Sequence, residues 1–280
     1  KKKINPLLNV FDNLSSQKKL IAAFSENQCV HIKGLVGSGF SFRFAAAFQK
    51  QDQSLLFIHE NAEQAAYFLN DFERLLGASE VLFFPASYRQ AYAPETTDNA
   101  NILLRAEVLK KLSSSKKPRI IVTYPQAIFE KIISQHTLKR ITLKLKKDTE
   151  VSLNHINESL FEMGFERVDF VTGPGEFAVR GGIIDVFSFA YQHPYRIEFF
   201  DETVERLSSF DVSSQSSISA FEEIEILPNT SDHDFTDKRR PLLSFFSSES
   251  SVVFADLDKT TDRLEQLYEK AVNVYQEMDT

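Results

Sequence analysis

One cysteine, Cys29, occurs in 280 residues. That excludes an internal disulfide and any metal site made of cysteines alone, and it suits a reducing compartment, so a cytoplasmic protein is expected. No apolar run approaches the ~20 residues that a membrane-spanning helix needs, and no membrane partner is expected. The opening stretch KKKINPLLNVF lacks the apolar core and small-residue cleavage site of a secretory leader. Basic residues are outnumbered, with 32 Lys and Arg against 39 Asp and Glu. The resulting net charge of −7 argues against strong non-specific binding of duplex DNA by the chain as a whole. The six histidines show no metal-ligand spacing, and SDHDF (231–235) reads as a charged loop, so no metal site is assigned. With no GxSxG and no Cys/His pair suited to nucleophilic attack, no catalytic residue is assigned either.

What is present is a globular composition, 42% hydrophobic and 25% charged, in a chain long enough for about two domains. The absence of an initial methionine and the helical pattern running to Thr280 predict a piece of a longer chain. Up to about residue 125, short apolar runs (CVHIK at 29–33, LLFIH at 55–59, VLFF at 81–84, RIIVT at 119–123) alternate with helical spacing. This predicts a parallel sheet covered by helices. From about residue 141 the runs ITLKL, ERVDFV, EFAVR, GIIDVF, RIEFF and VERLSSF alternate in polarity between Gly and Pro turns, which predicts an antiparallel sheet with SLNHINESLFEMG as its helix. SSQSSIS follows as a polar linker, then strands at FEEIEILP and SVVFAD and a final helix. The expected architecture is α/β, with a degenerate P-loop NTPase-like parallel layer in 1–125 and 212–280 and an inserted α+β antiparallel-sheet domain in 126–211.

KGLVGSGFSF (33–42) has the layout of a phosphate-binding loop, with Gly34, Gly37, Gly39 and the hydroxyl position Ser41 in place. Phe40 stands where the lysine belongs. Losing that charge-assisted contact removes roughly 1.5 to 3 kcal/mol of nucleotide affinity. Phe40, Phe44 and Phe48 share one helical face, the spacing of core packing. A glycine-rich turn serving the fold is therefore expected, with no cofactor. A hydrolase in which Arg43 or a distant lysine replaces the missing charge is the enzymatic alternative, although Arg43 lies almost a turn into the helix. VVFAD (252–256) and GIIDV (182–186) read as strands with structural aspartates.

In EFAVR the polar Glu176 and Arg180 oppose Phe177 and Val179; in RIEFF, Arg196 and Glu198 oppose Ile197 and Phe199. One face of the sheet is thus polar, suited to arginine contacts with a partner or to a plain Arg180–Glu198 cross-strand pair. The basic run KRITLKLKK (139–147) reads as a solvated strand face that could also meet an acidic partner or nucleic acid.

Three blocks, GLVGSGFSF, GFERVDFVTGPGEFAVRGGIIDVF (164–187) and YRIEFFDETVERLSSFDVSSQSS (195–217), resemble in order the UvrB-like N-terminal module of the transcription-repair coupling factor (Mfd) family. The resemblance implies a relic ATPase layer and an inserted domain that docks UvrA in nucleotide excision repair. It implies UvrA-facing roles for Arg167, Arg180, Arg196, Glu198 and Phe199. UvrB shares the skeleton but keeps the lysine, and it carries a long DNA-clamping hairpin after the stretch that matches YRQAYAPE (88–95). Here TTDNANILLRAEVL runs straight into a helical pattern, so a UvrB-like DNA-contacting subunit is the weaker alternative. RNA polymerase and DNA contacts, an ATP-dependent translocase motor and a later domain masking the UvrA surface are implied for the longer protein.

Overall fold

The computed structural model describes residues 5–26, 29–87, 99–230 and 239–278. YRQAYAPE with the residues up to Asp98, and SDHDF, lie outside them. In chain order, α1 (Ser15–Ser25), α2 (Gly39–Gln49), β1 (Leu55–Ile58), α3 (Ala62–Leu76) and β2 (Val81–Phe83) come first. They are followed by α4 (Asn99–Ser114), β3 (Ile120–Thr123), α5 (Pro125–Phe129), β4 (Ile132–Ile133) and α6 (Gln135–Ile141). Next are β5 (Leu143–Lys146), α7 (Leu153–Glu162), β6 (Glu166–Arg167), β7 (Glu176–Arg180), β8 (Ile183–Val186) and β9 (Tyr195–Phe200). β10 (Thr203–Phe210), β11 (Ser217–Phe221), β12 (Glu223–Ile226), β13 (Arg239–Arg240), β14 (Ser251–Phe254) and α8 (Leu257–Met278) complete the run. None of the described helices is long and apolar enough to cross a membrane.

The chain divides into two units, a mixed α/β arrangement with a parallel sheet in one and a separate antiparallel sheet in the other. Unit 1 comprises residues 1–86, 114–131 and 241–280. Its four strands are all parallel in the order β14-β1-β3-β2. Both β1 and β3 are buried along their whole length, as continuous apolar runs in a parallel sheet require. α3 starts where the Asn61 side chain accepts from the Gln64 N–H at 2.9 Å, and α8 starts where Asp256 accepts from the Lys259 N–H at 3.0 Å. Asp256 of VVFAD is thus a helix cap.

One expected strand is missing. CVHIK is exposed and pairs with no strand among the described residues: β1 already pairs with β14 on one edge and β3 on the other, and Val30 and Ile32 alternate with polar residues too sparsely to fill a doubly covered layer.

Unit 2 comprises residues 87–113 and 132–240. It therefore takes in the α4 region and residues 212–240, which the sequence reading had given to the α/β layer. Its six-stranded sheet has the order β11-β10-β9-β8-β7-β6, antiparallel except for the β6–β7 pair. The serine-rich segment read as a linker contributes β11, the edge strand paired to β10, because the two strands close around the turn at Asp211 to Ser216. FEEIEILP does not return to the parallel layer either; its β12 pairs with β5. One sheet face carries Phe177, Ile184, Val186, Tyr195, Ile197, Val204 and Leu207 and packs with Ile156 and Leu160 of α7. The opposite face holds the candidate site.

Candidate docking site

Cross-strand register decides which side chains meet. Ala178 lies opposite Asp185, Asp185 opposite Arg196, and Arg196 opposite Ser208. The next row is Arg180, Ile183, Glu198 and Arg206. Arg180, Arg196 and Glu198 therefore share the polar face, as their alternation predicts.

At its centre is Asp185, with 2% of its side chain exposed. Arg196 grips it with both ends of the guanidinium, Nε to Oδ1 at 2.7 Å and Nη2 to Oδ2 at 2.9 Å. Arg180 donates to the same Oδ2 through Nη2 and reaches the Asp169 carbonyl through Nη1 at 3.3 Å. A buried carboxylate is tolerated only when paired and fully hydrogen-bonded, and two guanidinium groups do this here. Arg196 is held further by Gln215 Oε1 at 3.1 Å and by the buried Phe210 ring, 4.4 Å from its guanidinium carbon. The hydrogen bond to Asp185 raises the Arg196 pKa, outweighing its partial burial. The sequence reading treated Asp185 as a structural strand end and weighed an Arg180–Glu198 pair. Instead Arg180 pairs with Asp185, while Glu198 faces Arg206 at 3.7 Å.

Two of the five residues expected to face UvrA lie off the polar face of the sheet. Phe199 is partly buried against the apolar core, because 195, 197 and 199 alternate onto that face. Its neighbour Phe200, 75% exposed, follows Arg196 and Glu198 on the polar side. Arg167 is exposed on the edge strand β6, opposite Phe177 and so on the other face from Arg180. Sequence reasoning also passed over Phe170, which is 65% exposed with the Arg180 guanidinium 5.1 Å from its ring centre.

The loop carrying Phe170 is pinned at several points. Val171 is buried with Ala178 and Phe187. Glu176 Oε2 accepts from the Thr172 N–H at 2.6 Å, the Gly173 N–H at 2.9 Å and the Thr172 hydroxyl at 2.9 Å. Burial alone would push the Glu176 pKa up, but these three donors bring it below its ordinary value. Gly175 closes the loop with φ +89°, and a Cβ there would come within 2.6 Å of the Phe189 ring.

Residues 143–231 match the family model described as the UvrB interaction domain. This chain carries a UvrB interaction domain. The UvrB interaction domain runs from β5 through β12 and includes the whole Asp185 cluster. The transcription-repair-coupling factor of Bacillus subtilis (strain 168) is 29% identical over 197 residues, covering 70% of this chain and 17% of that protein. That of Staphylococcus haemolyticus (strain JCSC1435) is 31% identical over 214 residues, covering 75% and 18%. UvrABC system protein B of Clostridium botulinum (strain Loch Maree / Type A3) is 28% identical over 221 residues, covering 74% and 33%. The chain thus matches under a fifth of the length of these coupling factors and a third of that UvrABC system protein B.

Outside the UvrB interaction domain, the glycine-rich loop leads into a helix whose Ser41 and Arg43 side chains are bound by neighbours. Gly34 and Gly37 take positive φ, +81° and +53°, and open space surrounds the Cβ positions of Gly34, Gly37 and Gly39. Phe40 turns into an aromatic cluster, 4.6 Å from Phe44, 5.2 Å from Phe68, 5.7 Å from Phe57 and 5.7 Å from His59. The buried Ser41 hydroxyl donates to Asp71 Oδ2 at 2.9 Å. Arg43 reaches the other way, to Gln17 Oε1 at 2.6 Å and Ser16 Oγ at 3.0 Å. In the basic run, Lys144 binds Glu225 at 2.7 Å beside Lys110 at 3.2 Å, and Leu145 is buried.

Proposed function

We propose that this chain is a non-catalytic UvrB-like module that recruits UvrA in transcription-coupled nucleotide excision repair. The observation that carries the reading is the coincidence of the UvrB interaction domain, residues 143–231, with a sheet face on which Arg180 and Arg196 bind Asp185, with Glu198 in the next row. Arginines prepositioned by a carboxylate lose little side-chain entropy when a partner arrives, which favours a docking role. In this reading the parallel layer is a relic of a P-loop NTPase and uses no cofactor. Phe40 among aromatic rings, Ser41 committed to Asp71 and Arg43 committed to Gln17 all support that. Contacts with RNA polymerase and DNA, and an ATP-dependent translocase motor, belong to the rest of a longer protein, together with a domain that masks the UvrA surface at rest. A cytoplasmic location fits this role.

The test is binding of UvrA from the same organism to the 280-residue chain, followed by calorimetry. A saturable 1:1 complex with micromolar or tighter affinity is expected, weaker for the full-length protein at rest. Failure to bind at tens of micromolar overturns the reading, and equal affinities for the chain and the full-length protein overturn the mask.

A further inference from the structure

We propose that Phe170, with Arg180 stacked on it, is the contact anchor of the docking face, fitted to a partner patch that sets a carboxylate beside an apolar recess. In this arrangement Asp185 and Arg196 are the internal strut that positions Arg180. The inference rests on the docking role proposed above and names the residues that perform it.

The two arginines of the cluster are not equivalent. Arg196 spends its guanidinium on both oxygens of Asp185 and on Gln215, lies against the buried Phe210 ring, and keeps 19% of its side chain exposed. Arg180 keeps 37% exposed. Its Nη1 and Nη2 have the Asp169 carbonyl and Asp185 as acceptors, while its Nε–H has no acceptor among the described residues. That leaves a charged donor without an acceptor on a partly exposed side chain, and a carboxylate is the acceptor a guanidinium selects best.

Phe170 supplies the apolar half. Its backbone neighbour Val171 is drawn into the small cluster with Ala178 and Phe187, which turns Phe170 outward. The Glu176 carboxylate ties down Thr172 and Gly173, and Val168 N–H donates to the Phe177 carbonyl at 2.9 Å, so the ring is presented from a fixed loop. An isolated exposed aromatic means little. A fixed ring beside an arginine with a free donor edge has the composition of an interface hot spot, since aromatic and arginine side chains dominate such positions and a rigid presenter lowers the ordering cost. The requirement for a carboxylate rather than a second cation follows from charge complementarity: the partner must match the guanidinium edge while covering the ring.

The test is titration of the 280-residue chain with UvrA, reading affinity by calorimetry and fold by thermal unfolding. Phe170→Ser is expected to weaken binding at least tenfold with an unchanged unfolding midpoint, because the ring is exposed, while Phe170→Tyr binds like wild type. Arg180→Ala weakens binding by a similar factor but does so much less in the Phe170→Ser background, as expected for one unit. Asp185→Asn weakens binding in the wild-type background and has little further effect once Arg180 is alanine, a dependence that mere loosening of the fold does not produce. If wild type binds and Phe170→Ser binds equally well, the anchor is wrong while the docking role stands. If wild type does not bind at all, the docking role falls and this inference with it.

Discussion

The glycine-rich loop of unit 1 and the Asp185 cluster of unit 2 both present functional-looking residues in the sequence, and the structure treats them in opposite ways. In the loop the polar groups are consumed singly by neighbours: Ser41 by Asp71, Arg43 by Gln17 and Ser16. The lysine position is filled by a ring in an aromatic cluster. In the cluster, arginines from two strands converge on one buried carboxylate of the strand between them, and Arg180 stays partly exposed. The glycines of the loop serve a turn, with positive φ at Gly34 and Gly37. A set of charges held by cross-strand register has no such backbone role to preserve.

The sharpest way to break the contrast is Asp185→Ala. Removing one partner from a buried charge network costs about 3 to 5 kcal/mol, here about 4, since Arg196 loses both of its charged contacts. Chemical denaturation measures it, and a loss below about 1 kcal/mol would mean that the cluster is a surface ornament.

The loop side is probed by His59, whose buried ring stacks 4.3 Å from Phe68 with neither nitrogen bonded among the described residues. Burial pushes its pKa down from 6.5 to about 4. The folded state therefore binds fewer protons than the unfolded chain between these values. His59 contributes stability that is fully present above pH 6.5 and falls as the pH drops toward 4. The loss amounts to about 3 kcal/mol once the pH lies below both values. Denaturation of wild type and His59→Phe at pH 7 and pH 4.5 should show the difference shrinking in the variant.

The smallest effect is expected from Phe40→Lys, which restores the lysine of the motif. Losing the ring contacts costs about 2 kcal/mol. Calorimetry with Mg-ATP should register no binding, because the Ser41 hydroxyl stays with Asp71. Saturable binding in this variant would erase the distinction between the two regions.

How much of this was legible depended on whether the deciding interaction was local. Alternation in EFAVR and RIEFF placed Arg180, Arg196 and Glu198 on one face, since the two-residue period of a strand is a local property. The same alternation put Phe199 with the core. Asp185 reads as the end of an apolar run, and its role exists only because β7, β8 and β9 pair in one register, which neither strand specifies alone. The face taken by Arg167 was hidden for the same reason, since β6 is two residues long and pairs in parallel. Phe170 sits in a loop whose shape depends on Glu176 reaching back to it. The serines around 213–219 suggested a linker, yet polar side chains are compatible with an exposed edge strand once β10 offers its hydrogen bonds. CVHIK failed in the reverse direction, having a strand-like composition and no free strand to join.

The order β14-β1-β3-β2 also bears on how the chain is made. β1 receives β3 on one edge soon after synthesis, but its other partner is Ser251–Phe254. Everything needed for the six-stranded sheet emerges from the ribosome in between. For on the order of ten seconds at ordinary elongation rates, the wholly apolar LLFI strand has one bare edge. A nascent chain stalled before Ser251 would then carry every strand of the six-stranded sheet but a parallel sheet with an open, aggregation-prone edge, the species that a chaperone would be called on to hold.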